Sequence, residues 1–350
     1  MLFTYFVYFS ILICGTLFSY CAEKSKSKDV EYIWRFLLFL IFLLPAIFRY
    51  DIGADYSEYK RLYDDNLYWG YAEIGFCLIC DLLNFFGCSS FWMFFFIAFF
   101  TYFLVCFFIK KQNFCIFIFF YIAFYGYINA FDQIRQALAL PFIIFAIYSL
   151  LENKYKKMCV FILVSSLFHK SSLIFFILLP ISKIKIGRVT VIFLTLLFSV
   201  FIYFIDYVAI LHYLSSIANF RYLLLLTNSI EQTATLGLGL LLKIMYPLMF
   251  ICTLSYSKNN LSTSESIGSN FGLMYIVLSF LVLKIDIFNR LRDVIWVGLL
   301  YSITVIPKSK YRKLIIYFVC ISGILLYYIL IKNSNLPGTK EISPYQTIFD

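Results

Sequence analysis

The stretch FWMFFFIAFFTYFLVCFFIKK, residues 91–111, decides the fold. Its apolar part, 91–109, carries no charge and is closed by Lys110 and Lys111. About 20 such residues in a helix span the hydrocarbon of a bilayer. A helix is also the one single-segment structure that bonds all of its own backbone there. Comparable apolar runs lie at 2–21, 31–48, 89–109, 114–128, 136–151, 158–168, 171–182, 189–210, 234–256, 271–283, 294–306 and 314–331. Composition agrees with this reading. Of 350 residues 63% are hydrophobic, 22% aromatic and only 14% charged, which excludes an ordinary soluble domain, a disordered chain and a disulfide scaffold. The expectation is an all-α, polytopic bundle of about 12 helices forming a single integral membrane domain over 1–350.

The net charge of +10 does not mark a nucleic-acid protein, because the basic residues come in small clusters between apolar runs. Lys24, Lys26 and Lys28 open the series, followed by Lys110 and Lys111, then Lys154, Lys156 and Lys157. Lys183, Lys185 and Arg188 come next, then Lys258, then Lys308, Lys310, Arg312 and Lys313. Alternate connections thus hold 16 of the 29 lysines and arginines, so the positive-inside rule places them in the cytoplasm and both termini outside. This count requires 158–182 to be a hairpin of two short helices with His169 and Lys170 at its outer tip. One crossing helix would instead bury both near the bilayer centre, at a cost of roughly 3 kcal/mol per charge. The outer side then carries a loop at 49–88 with interfacial helices, and a tail at 332–350. The ten cysteines are scattered through apolar runs as small hydrophobes, and Cys77-Leu-Ile-Cys80 stands alone without the second pair a metal site needs.

With that orientation, charged and polar residues from four separated segments fall on the outer face. They are Arg49, Asp51, Asp55, Tyr56 and Tyr59 after the second run; Asp132, Arg135 and Gln136 before the fifth; His169 and Lys170 at the hairpin; and Arg290 and Arg292 between the tenth and eleventh. Each has a plainer reading. Arg49 suits a snorkelling anchor, Asp51 and Asp55 suit loop solvation or a helix cap, and His169 suits a turn.

Arg49-Tyr-Asp-Ile-Gly-Ala-Asp-Tyr-x-x-Tyr59 resembles the R-x-x-x-G-x-D-Y-x-x-Y signature of the EpsG-like proteins, relatives of Wzy-type polymerases of bacterial surface polysaccharides. Ile134-Arg-Gln-Ala-Leu-Ala139 and Leu167-Phe-His-Lys-Ser-Ser172 resemble that family's second and third signatures, in the expected order. Phe288-Asn-Arg-Leu291 and Pro344-Tyr345 resemble weaker features. The resemblance implies a fold akin to the membrane glycosyltransferases of the lipid-sugar class, in the bacterial plasma membrane. It implies a polymerase that joins undecaprenyl-diphosphate-linked repeat units at the outer face into O-antigen, capsule or exopolysaccharide. A chain-length regulator and a flippase of the same pathway would be its partners, beside membrane lipid.

Glycosyl transfer from a lipid diphosphate needs a cation for the leaving group and a base for the acceptor hydroxyl. Arginine's planar fork suits the first, with Arg135 foremost and Arg49, Arg290 and Arg292 assisting. His169 is the candidate base and Asp55 its rival. Asp51 and Gln136 would bind sugar hydroxyls or phosphate, Lys170 the anion, and Tyr56 and Tyr59 would stack on pyranose faces. Because arginines carry the charge, neither a metal nor another cofactor is required. A flippase for the same lipid-linked sugar and an O-antigen-ligase-like transferase remain open alternatives. The flippase fits less well, since no internal repeat is visible.

Overall fold

The computed structural model describes residues 2–124, 126–204, 262–282, 287–304, 312–334 and 341–349, with single positions between 242 and 248. Among the described residues every regular element is helical, and one isolated antiparallel bridge joins Arg49 to Thr347. The chain forms two compact units, 1–177 with 320–350, and 178–319.

The first unit starts with α1 (Leu2–Lys24) and α2 (Lys28–Phe48), packed as an antiparallel pair. Ser27 starts α2 by accepting from the Val30 N–H, and Asp29 and Glu31 lie in the first turn, where acids are favoured. The polar stretch that follows is itself helical: α3 (Tyr56–Asp64), a 3-10 turn at Tyr68–Gly70 and α4 (Ile74–Phe85). Then come α5 (Ser90–Phe108), the pair α6 (Phe114–Ala123) and α7 (Gly126–Asp132), α8 (Ile134–Leu151) and α9 (Tyr155–Ser166). A 3-10 segment, Lys170–Ile177, packs against α9 and touches α8, so the break that the hairpin needs at His169 is present.

The second unit holds α10 (Leu178–Lys183), α11 (Arg188–Phe204), α12 (Thr263–Leu281) and α13 (Ile287–Thr304). α14 (Arg312–Asn333) passes from the second unit into the first. α12 begins eight residues ahead of the apolar run because Ser262 and Glu265 form a reciprocal capping box. Phe271 of α12 lies over Gly298 of α13, where a side chain would not fit. The run at 234–256 and the end of the run at 189–210 lie outside the described residues.

Among the described residues, five helices are long and apolar enough to cross a membrane: α1, α2, α5, α8 and the Ile316–Asn333 part of α14. α6 and α7, bent by 48°, make a sixth if they form one span. Among the described residues these are fewer than the 12 crossings expected. The run at 158–182 is divided into a 12-residue helix, a 3-10 segment and a short α-helix, none of which reaches that length.

Helix direction gives the first unit two chemically different ends. At one end Lys111 reaches Ser25 and Glu31, Lys110 pairs with Glu152, and Arg35 of α2 donates to the carbonyls of Cys106 and Ile109. α2, α5 and α8 then run roughly 30 Å, at 1.5 Å per residue, between that basic end and the one holding Arg49 and Arg135.

Candidate functional site

Three helix ends meet at the second end, and a backbone contact aligns them. The Leu167 carbonyl, left over where α9 stops, accepts from the Gly75 N–H of α4 at 2.8 Å. A Cβ on Gly75 would stand 2.8 Å from that oxygen, so only glycine allows this approach. Docking α4 there brings Glu73, its N-cap residue, beside the turn that carries His169.

Glu73 is the centre of the site, and the charged-residue pattern of the sequence did not single it out. It is 9% exposed. Its Oε2 accepts a short hydrogen bond from Arg135 Nη1, in the first turn of α8. Its Oε1 accepts from the Lys170 backbone N–H at 3.2 Å and lies 3.8 Å from His169 Nδ1. Arg135 also donates through Nε to the Tyr59 hydroxyl at 3.2 Å and through Nη1 to the Tyr71 carbonyl at 3.3 Å. Nη2 makes none of these bonds. The buried carboxylate is thereby matched by a guanidinium, as burial of charge demands.

Arg49 lies along the same face of α3, beside Tyr56 where Arg135 has Tyr59. Only 4% exposed, its guanidinium lies 4.5 Å from the ring centre of Phe131, 5.5 Å from Phe94 and 5.8 Å from Tyr56. Burial among rings pulls its pKa below the ordinary guanidinium value. Gly53, at φ +107°, presses against the Phe131 carbonyl where any Cβ would collide, which accounts for glycine in the first signature. Residues 341–349 run along this loop and bond to its backbone. Tyr50 N donates to Gln346 O, Ile348 N to Phe48 O and Gly53 N to Glu341 O, while the Tyr345 hydroxyl reaches Pro45 O at 2.7 Å.

Of the residues singled out from sequence, Arg135, Tyr59, His169 and the Lys170 backbone therefore converge, and Arg49 lies beside Tyr56, one turn of α3 from Tyr59. Asp51, at φ 49°, and Asp55, at the N-cap position of α3, are exposed on the loop, and Gln136 is half-buried next to Arg135. Arg292, 6% exposed beside Asp293, belongs to the second unit, and the side chain of Arg290 lies outside the described residues. The stacking role expected of Tyr56 and Tyr59 needs correction. At 9% and 6% exposed they are core residues, with Tyr56 flat on Phe94 and Tyr59 tilted against Phe76. Burial raises both phenol pKa values.

A helical chain with several segments long and apolar enough to cross a membrane is a multi-pass membrane protein, and this one carries a half-buried ionic cluster at one end of those helices. The family model of the EpsG family matches residues 32–347, nearly the whole chain, so this chain belongs to the EpsG family and with it to the membrane proteins of polysaccharide biosynthesis. No curated protein and no solved structure matches it.

Proposed function

We propose that this chain is a polysaccharide polymerase, a glycosyltransferase that joins undecaprenyl-diphosphate-linked repeat units at the outer face of the bacterial plasma membrane. The observation that carries the reading is the meeting of three separated signature segments, through Tyr59, Arg135 and His169, around Glu73. The outer-face assignment is supported by the basic end lying at the opposite ends of the same helices.

In this reading the donor's diphosphate lies against the free Nη2 edge of Arg135, whose other nitrogens are already fixed. The acceptor hydroxyl attacks C1 of the donor sugar as the C1–O bond to the diphosphate breaks, and the bonding pair leaves on the phosphate oxygen. The hydroxyl proton passes to His169 Nε2. Glu73 Oε1, 3.8 Å from Nδ1, supplies the counter-charge for the imidazolium that results.

The test is a glycan ladder from a deletion strain complemented with this chain or its variants. Arg135→Ala and His169→Ala proteins should reach the membrane at normal levels and yield single repeat units on an outward-facing lipid carrier. Ladders of ordinary length from both variants would sink the polymerase reading. Monomer accumulating on the cytoplasmic leaflet instead would point to a flippase.

A further inference from the structure

We propose that Trp69 and Tyr71 form a stacking platform for a pyranose ring of the glycan, on the rim of the Arg135 site; this rests on the reading of that site as glycan-handling. Both rings are open to the surroundings, at 53% and 67% exposure, whereas the tyrosines of α3 are buried. Their place on the rim follows from the backbone. The 3-10 turn at Tyr68–Gly70 leads into Tyr71, whose carbonyl accepts from Arg135 Nη1, and Glu73 follows two residues later. A sugar joined to a diphosphate on Arg135 therefore has Tyr71 beside it and Trp69 one residue beyond Gly70. Nothing but the two chain neighbours stands within 4 Å of where a Gly70 Cβ would be, so the backbone that carries the two rings is itself uncovered at Gly70.

The Trp69 ring is held in place. Its Nε1 donates to both Asp81 oxygens, at 3.1 and 3.0 Å. Tyr68, 3% exposed, donates its hydroxyl to Asp81 at 2.7 Å. Asn84 bonds the same hydroxyl at 3.1 Å and Asn66 at 2.7 Å. Burial and the bond to Asp81 push the Tyr68 phenol up to about 12, so it remains a donor at neutral pH. A tryptophan that merely marks the membrane boundary turns its N–H to water and its ring to lipid. Here the N–H is taken up by the Asp81 carboxylate, and the ring is fixed before any ligand arrives, which lowers the entropic cost of binding. A flat ring with oxygen acceptors at its edge matches a pyranose, whose C–H face is apolar and whose rim is hydroxylic.

The experiment uses the full chain in vesicles with Trp34, Trp92 and Trp296 changed to Phe, which leaves Trp69 as the sole indole. The probe is the soluble repeat-unit oligosaccharide released by mild acid from the cells' own surface polysaccharide. Expected is a saturable change in Trp69 emission with oligosaccharide, and no quenching by brominated phospholipid. Quenching by the brominated lipid, or silence toward the sugar, overturns the platform. In the glycan ladder, Trp69→Ala and Tyr71→Ala should raise the KM for repeat unit about tenfold with kcat little changed. Trp69→Phe should recover most of that loss. Normal ladders from both alanine variants alongside a collapsed Arg135→Ala ladder would remove the platform and leave the polymerase standing. Sugar-responsive emission with an intact Arg135→Ala ladder would do the reverse.

Discussion

At the scale of single residues, Glu73 carries the most consequence. It holds Arg135 and the Lys170 backbone in one arrangement, lies 3.8 Å from the His169 ring, and is nearly buried. Glu73→Gln keeps its shape but leaves a partly buried guanidinium without its counter-charge. Polymer yield should fall about 100-fold or more with membrane levels unchanged, and Glu73→Asp should restore part of it. Quantified ladders from the two variants check this, and a full ladder from Glu73→Gln would remove the residue from the site. Gly75→Ala tests the same geometry through the backbone, since its methyl meets the Leu167 carbonyl. It should destabilise the purified protein by about 1–3 kcal/mol and lower polymer yield together, read as a lower thermal midpoint beside a shortened ladder. Arg135 and His169 were legible in the sequence because a charge next to an apolar run is conspicuous. Glu73 was not, because the run after it, 74–85, is too short to register as a membrane span. The buried state of Tyr56 and Tyr59 was legible in principle. Tyr56, Tyr59 and Tyr63 share one face of α3 at i, i+3 and i+7, which marks a packed stripe in so polar a helix.

At the scale of elements, apolar runs located most of the described long helices to within a few residues, because the absence of charge is a strong and local signal. What stayed illegible was held by long-range backbone bonding. The stretch expected as an outer tail, 332–350, is tied through its last residues to Thr4, Tyr8, Pro45 and the Arg49 loop. α2 ends with carbonyls that have no partner inside the helix, and this tail supplies donors for two of them, Pro45 and Phe48. Tyr345→Phe removes one such donor and should cost about 1 kcal/mol, seen as a thermal midpoint lower by a few degrees with near-normal polymer. Deleting 341–350 removes the backbone partners of Phe48, Arg49, Tyr50 and Gly53 along the edge of the loop. It should abolish the ladder while the protein still inserts, and a truncated chain that polymerises normally would show the tail to be dispensable.

At the scale of the whole molecule, charge asymmetry and site position make one statement. The first three lysine clusters belong to connections at one end of the first unit, where Lys111 and Lys110 bind α2 and the end of α8. The ionic cluster around Glu73 stands at the far ends of the same helices. The charge bias is strong over this part of the chain and slight after 158–182, and the boundary between the two units falls within that stretch, at Ile177. If the basic end is cytoplasmic, α3 faces outward. Cysteines placed at exposed positions decide it: Ser57→Cys on α3 and Lys26→Cys in the first basic connection, each assayed with a membrane-impermeant thiol reagent. In intact cells stripped to the plasma membrane, Ser57→Cys should label at once and Lys26→Cys only after permeabilisation. The opposite pattern would turn the Arg135 cluster toward the cytoplasm. A polymerase working on carriers already flipped to the outer leaflet could not operate from there, whereas an enzyme acting before translocation could.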